Sequence, residues 1–459
     1  MNAAPQLVPA TVSNRAFPVT RWPAAFGARF YTLLIVGLAW IGPGWIDRRF
    51  LFGMVLWDVL VLAAWLYDLS QMPRPGALFV SRVWSAPVSL DCNGTVTIKI
   101  LNRGRVGIRA NVTDDLPVQL RRTPAEIEVK AAPGKEGEAS YYIHPRERGD
   151  AQLASVFIRY QSALHIAERW ATVKLGQTVR VYPNLEEAKK HTIFLLRSRQ
   201  VEQERRLQRR RGLGREFESL RDWRDGDELR DICWTATARR AKLITKIHRV
   251  ERSQSVWIVV DAGRLLRARV GTLSKLDYAV NAALTLAHVA MFSGDKVGLL
   301  AYGRKPQQHL NAARGSAHMR DFMERLAMVK AEAVEADHFR AAQMLLRDQK
   351  RRSLIVWLTD LAETAMTPEV IDSAYQMMPR HVVLFAALAQ PELDEMAESA
   401  PQTVEDLYRH VAAQEMVQRR DLLLARLRSR GALALEIAPG KLSTQLVNHY
   451  VDIKERSLI

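Results

Sequence analysis

Val256-Trp257-Ile258-Val259-Val260-Asp261 is a short apolar run, rich in β-branched residues, that ends on an acid. It reads as a buried strand, and a strand–helix alternation follows it. Residues 272–292 form a helical pattern with Leu276, Val280, Leu284, Ala287 and Met291 on one face. Strands are expected at 297–302, 353–358, 381–388 and 433–437. Helices are expected at 317–329, 338–348, 368–377, 404–430 and 442–456. That alternation implies a mostly parallel sheet covered by helices on both faces. Functional groups in such sheets gather at the carboxyl ends of the strands, which here deliver Asp261, Gly303 and Asp360.

Upstream, residues 185–211 read as a basic helix, with ten Lys/Arg between Lys189 and Arg215. Arg205, Arg206, Arg209, Arg210 and Arg211 make a basic patch. Between Leu185 and Phe217, Phe194 is the one Phe, Tyr or Trp, so the stacking platform of single-strand binders is missing. A solvated helix face, acidic lipid headgroups or an acidic partner are the readings left for the patch, and nucleic acid is not expected. Before it, residues 78–183 show short alternating segments such as Val96-Thr97-Ile98-Lys99-Ile100, separated by turn signals, the texture of a β-sandwich.

Residues 30–46 carry no charge, and 50–67 carry only Asp58. Each run is close to the ~17–25 residues that cross a hydrocarbon core. Together they read as a transmembrane hairpin at 30–67 behind a polar tail at 1–29. More arginines flank the hairpin than the pair Arg48 and Arg49 in its connection, which places both ends in the cytoplasm. Asp58 reads as an acid hydrogen-bonded inside the hairpin or to a partner span. Lys+Arg outnumber Asp+Glu 66 to 49, a net charge of +17, which points to an anionic neighbour. Two cysteines, Cys92 and Cys233, make no disulfide framework.

Familiar catalytic signatures are missing. There is no G-x-x-x-x-G-K-[ST], no H-E-x-x-H and no G-x-S-x-G, so no cofactor and no enzymatic reaction are expected. The feature that stands out is 212–239, which begins Gly212-Leu213-Gly214-Arg215-Glu216-Phe217 and reaches Trp234 and Arg239. Acids and arginines are interleaved there with Phe217, Leu220 and Trp223, so mutual pairing is expected. Trp223 and Trp234 are expected to plug apolar gaps.

This stretch resembles the signature of the domain-of-unknown-function-58 family, G-x-G-x-E-F-x-x-L-R-x-Y-x-x-G-D-x-x-R-x-I-D-W-x-x-x-A-R. Gly212, Gly214, Glu216, Phe217, Leu220, Arg221, Gly226, Asp227, Arg230, Ile232, Trp234, Ala238 and Arg239 match it. Trp223 replaces the usual aromatic, and Cys233 stands where an acid is usual. The resemblance extends to the hairpin, to Arg146-Glu147-Arg148-Gly149 and to Val181-Tyr182-Pro183. It implies a von Willebrand factor A-like, Rossmann-type domain at the C-terminus and work beside a MoxR-type AAA+ ATPase. Such domains usually hold Mg²⁺ through D-x-S-x-S after the first strand. Here the serine positions are Gly263 and Leu265, so Asp261 and Asp360 remain only as weak metal candidates. Asp261 is expected to pair with an arginine such as Arg264, and Asp360 to cap a turn or helix.

The expected chain is therefore multidomain: tail 1–29, transmembrane hairpin 30–67, β-sandwich 78–183, basic and signature segment 184–253, and α/β domain 254–459. Its expected role is a non-enzymatic adaptor in a bacterial inner membrane, with cytoplasmic soluble domains. The alternatives are a metal-dependent ligand-binding A domain and a nucleic-acid binder acting through the basic segment.

Overall fold

The computed structural model describes residues 8–20, 22–47, 49–184, 216–224, 232–249, 254–361 and 369–456. The chain divides into two compact units, Met1–Asn184 and Leu185–Ile459.

In the first unit, β1 (Val12–Arg15), β2 (Phe17–Pro18) and β3 (Ala24–Phe26) come first. They are followed by helices α1 (Ala28–Gly37), α2 (Ile41–Ile46) and α3 (Arg49–Gln71). Seven longer strands complete it: β4 (Leu78–Trp84), β5 (Gly94–Asn102), β6 (Ile108–Asp114), β7 (Ala125–Ala131), β8 (Glu136–Ile143), β9 (Gly149–Ser162) and β10 (Ala167–Val181). One antiparallel sheet runs β1-β4-β5-β8, and the other runs β2-β10-β9-β6-β7 with β3 also on β10. Period-2 alternation sends Leu78, Val80, Val96, Ile98 and Ile100 inward from the first sheet. Ala110, Val112, Val156, Ile158 and Val173 are buried in the second.

The expected tail is a correction. Residues 12–26 are not free: β1 pairs with β4, while β2 and β3 pair with β10. These strands are two to four residues long and are punctuated by Pro18 and Pro23, so they carry no readable alternation. Their backbone partners are supplied by strands far along the chain.

Residues Ala28–Ile46 and Arg49–Ala77 are long and apolar enough to cross a membrane. A 3₁₀ turn at Leu38–Trp40 interrupts the first, just before Gly42-Pro43-Gly44, where a proline removes a helical N–H donor. The Trp57 indole N–H donates to the Leu33 carbonyl at 2.9 Å, and Asp58 is half-buried against Gly37 of the facing helix. The end of α3 is fastened to the sandwich. Asp68 is buried and accepts from Ser162 Oγ (2.5 Å) and the Ala167 N–H (2.9 Å).

In the second unit, β11 (Glu216–Asp222), α4 (Trp234–Arg240) and β12 (Ile244–Arg249) form a small piece of their own. The sheet then uses β13 (Ser255–Asp261), β16 (Lys296–Tyr302), β17 (Pro306–Ala313), β18 (Leu354–Thr359), β19 (Val382–Leu388) and β20 (Leu433–Ile437). The two-residue strands β14 (Arg269–Val270) and β15 (Leu273–Ser274) pair beside it. Its helices are α5 (Lys275–Phe292), α6 (Ser316–Ala327), α7 (His338–Asp348), α8 (Glu369–Met377), α9 (Pro391–Glu398), α10 (Val404–Ser429) and α11 (Leu442–Glu455).

The strand order is β17-β16-β13-β18-β19-β20. All pairs are parallel except β16–β17. This is a doubly wound sheet that starts at its middle and builds outward in both directions. β17 and α9 are additions to the sequence expectation. The pattern of β17, Pro-Gln-Gln-His-Leu-Asn-Ala-Ala, has little apolar content because it is an edge strand with half-exposed side chains. The core is aromatic at its centre. Trp257, Tyr302, Trp357 and Phe385 are all nearly inaccessible, and Trp357 stacks on Phe385 at 5.5 Å.

Candidate functional site

Because β13 pairs with β16 on one side and β18 on the other, its carboxyl end is the topological switch point, where doubly wound sheets usually place ligands. Register sets Val260 opposite Leu358, so Asp261 and the Thr359-Asp360 pair emerge side by side. Asp261 is 3% exposed. Its Oδ1 accepts the Gly263 N–H at 2.7 Å, and its Oδ2 accepts the Thr359 hydroxyl at 2.6 Å. Loss of hydration on burial is the main cause that raises its pKa above 3.8, partly opposed by His338 and these two donors.

Asp360 faces a different partner. Lys275, the first residue of α5, places Nζ 2.5 Å from Asp360 Oδ2 and 3.3 Å from Gln390 Oε1. Both members of the ion pair are at most 4% exposed. Local sequence explains the placement. Ser274 caps α5 in a reciprocal capping box with Asp277, so the helix begins where Lys275 points at the strand ends.

Beside this pair lies a buried chain of hydrogen-bonded side chains. Trp357 Nε1–H donates to the Tyr302 hydroxyl at 2.6 Å, and that hydroxyl lies 2.7 Å from His338 Nδ1. Burial drives the Tyr302 pKa well above 10.0, so this phenol stays protonated. The connection from α6 to α7 closes over the strand ends through three backbone bonds. Glu332 N–H donates to Ala262 O, Arg264 N–H to Val334 O, and Asp337 N–H to Gly303 O. A Cβ on Gly263 would sit 2.9 Å from the Ala336 nitrogen, and one on Gly303 would meet the Glu332 carboxylate at 2.4 Å. Glycine at both positions permits this closure.

One sequence expectation is corrected here. Arg264 does not pair with Asp261; it pairs with Glu335 at 3.1 Å, because residue 264 faces solvent while Asp261 is sealed below. Asp360 pairs with Lys275, and residues 362–368, where the expected cap would act, lie outside the described residues. Asp261 and Asp360 also fail as metal ligands. The oxygens of Asp261 accept from Gly263 and Thr359, Asp360 is taken by an ammonium, and positions 263 and 265 supply no oxygen. Mg²⁺ asks for near-octahedral oxygen ligation, which these residues do not fit. Among the described residues, no three His, Cys, Asp or Glu side chains are grouped to hold a metal.

Sequence reasoning missed Lys275, Thr359 and Gln390. The available signal was Lys275 itself. A cation at the first position of a helix opposes the helix dipole and needs a nearby acid.

The signature residues are only partly described. Gly212, Gly214, Gly226, Asp227, Arg230 and the basic patch Arg205, Arg206, Arg209, Arg210 and Arg211 lie outside the described residues. Glu216, Phe217, Leu220 and Arg221 fall on β11, which pairs antiparallel with β12 and forms a separate two-stranded sheet. Ile232 is buried and bridges to Thr245, and the Cys233 N–H donates to the Ile244 carbonyl. Trp234 and Arg239 sit on α4. Trp223 is half-buried, but Trp234 is 66% exposed, so it does not plug a gap. It opens a seven-residue helix that, among the described residues, packs on β12, and its indole faces outward. An open hollow of about 590 Å³ lies elsewhere, lined by Asp337, Phe339, Asp372, Tyr375 and Gln376.

Residues 219–424 match the family model described as "Protein of unknown function DUF58". An uncharacterized protein of Mycobacterium bovis is 28% identical over 151 residues, 32% of this chain and 48% of that protein. The uncharacterized protein YeaD of Bacillus subtilis is 22% identical over 200 residues, 43% of this chain and 46% of that protein. The chain thus spans about half the length of the curated relatives it matches. Among solved structures, the conserved hypothetical protein BatB from Bacteroides thetaiotaomicron is 15% identical. That match covers 44% of this chain and all of BatB, with a TM-score of 0.30.

Proposed function

With residues 219–424 forming a DUF58 region, we propose that this chain is a membrane-anchored, non-enzymatic adaptor that works beside a MoxR-type AAA+ ATPase. The helices of the first unit anchor it in a bacterial inner membrane, with both units in the cytoplasm, and the doubly wound domain is of the von Willebrand factor A-like type. The observation that carries the reading is Trp234. A tryptophan two-thirds exposed within an otherwise charged segment has no role in a core, and exposed tryptophans are favoured as anchors at protein interfaces. The acids at the sheet's switch point support the same reading, because they are engaged by Lys275 and Thr359 rather than open to a substrate. Acidic lipid headgroups are a second surface for the basic patch.

The test is capture of a MoxR-type AAA+ ATPase by the full-length protein in detergent. Trp234→Ala should weaken capture by about thirtyfold, the loss of a ~2 kcal/mol interface anchor, with an unchanged melting temperature. Reversing Arg209, Arg210 and Arg211 to Glu should add a salt-sensitive loss. Capture that survives both changes, or a Trp234→Ala protein that melts much lower, would refute the reading.

A further inference from the structure

We infer that Lys275 is a tethered cation that permanently occupies the place of a divalent metal at the switch point, so that this face works without one. The inference stands whether or not the adaptor reading holds.

Three observations on independent elements converge on it. First, Lys275 is placed where a cation is least welcome. It is 1% exposed, and it sits at the first position of α5, beside the positive end of the helix dipole. Taking an ammonium out of water costs several kcal/mol unless a well-placed anion answers it. Asp360, from the end of β18, answers it at 2.5 Å, and Gln390, from the connection after β19, takes a second ammonium proton at 3.3 Å. Three segments of chain therefore converge on one positive charge.

Second, the acid beside it is kept out of the competition. Asp261 is held by the Gly263 N–H and the Thr359 hydroxyl, so its oxygens are aimed at fixed protein donors. Third, there is no room for a ligand side chain at position 263. A side chain at Gly263 would press on the Ala336 backbone, and the 332–337 connection is already bonded across the strand ends. A divalent ion would have to displace an ammonium, break a Thr–Asp bond and open that connection together.

A fixed ammonium has one consequence that a bound metal would not. A metal at such a position can take a further oxygen from a partner's carboxylate, whereas the Lys275 ammonium is turned inward onto Asp360 and Gln390 and is 1% exposed. Recognition at this face is therefore independent of Mg²⁺ or Mn²⁺ and indifferent to chelators.

The experiment uses the full-length chain in detergent and follows thermal melting. For the wild type, millimolar Mn²⁺ and EDTA should give the same melting temperature. Lys275→Met strands Asp360 in the interior and should lower the melting temperature on the order of 10 °C. The double variant Lys275→Met/Asp360→Asn removes both charges and should regain most of that loss. A saturable Mn²⁺ stabilisation of the wild type that vanishes in Asp261→Ala would overturn the inference. So would Lys275→Met melting like the wild type, or the double variant melting no higher than Lys275→Met.

Discussion

Asp261 carries a pH dependence whose sign follows from its burial. Its folded pKa lies above the ordinary 3.8, so the folded chain holds the proton more tightly than the unfolded one. Stability from this group is full below 3.8 and is lost as pH rises through the raised value. Asp261→Asn cannot ionise. Its melting temperature, measured against the wild type, should therefore climb between about pH 4 and pH 7. A difference that stays flat across that range would mean that the carboxyl ionises as freely folded as unfolded. Gly263 makes a second residue-scale case. Gly263→Ser restores a hydroxyl at the position where a metal-binding loop would carry one, but its Cβ must enter the space beside the Ala336 nitrogen. Overpacking of this kind costs about 1–3 kcal/mol. The variant should unfold at lower denaturant and gain no response to Mg²⁺, and a stabilising Mg²⁺ response would show that the connection yields.

At the scale of elements, the sandwich is pinned by the buried Arg82–Asp114 ion pair. Arg82 on β4 donates through Nε to Asp114 Oδ2 at 2.9 Å and through a terminal nitrogen to Oδ1 at 2.5 Å, crossing from one sheet to the other. A further Arg82 N–H reaches the Leu175 carbonyl on β10, and the Tyr141 hydroxyl on β8 donates to Asp114. Period-2 alternation puts Arg82 on the same buried face as Leu78, Val80 and Trp84, a place that a strand pattern would assign to an apolar residue. Removing one partner leaves the other charge buried and alone, which costs about 3–5 kcal/mol. Arg82→Ala should therefore abolish the sandwich's cooperative melt or lower its midpoint sharply, while Arg109→Ala, in an exposed pair with Glu128, should do little. Similar effects of the two would show that Arg82 is solvated. The junction between α3 and the sandwich rests on Asp68 in the same way. Asp68→Ala strips acceptors from Ser162 and Ala167 and should speed proteolytic cleavage around 68–77, with the sheets left intact. Unchanged cleavage would place the strength of that junction in Trp65 and Arg169, which also bond across it.

For the whole molecule, the two long apolar helices predict retention in the membrane fraction through high-salt and alkaline washes and release only by detergent. Release by salt alone would reduce the attachment to the chain's excess of positive charge. What the sequence determined by itself was everything that repeats with a period. Apolar runs of spanning length marked the helices around Asp58, strict alternation marked strands such as β5, and β-branched runs spaced by amphipathic helices marked the doubly wound sheet with Asp261 and Asp360 at its strand ends. These features are local, because burial of a whole strand or helix face imposes its rhythm on consecutive residues. Tertiary structure decided the rest. Val12–Arg15 is a strand only because β4 offers it an unpaired edge, and Pro306–Ala313 only because β16 does. Arg82 is an interior residue only because Asp114 meets it, 32 positions away. Lys275 reaches Asp360 across 85 positions and Thr359 reaches Asp261 across 98, and these contacts close both strand-end acids inside the protein. Charge pairing depends on distance in space rather than along the chain, and a buried cation becomes intelligible only when the fold has brought its anion to it.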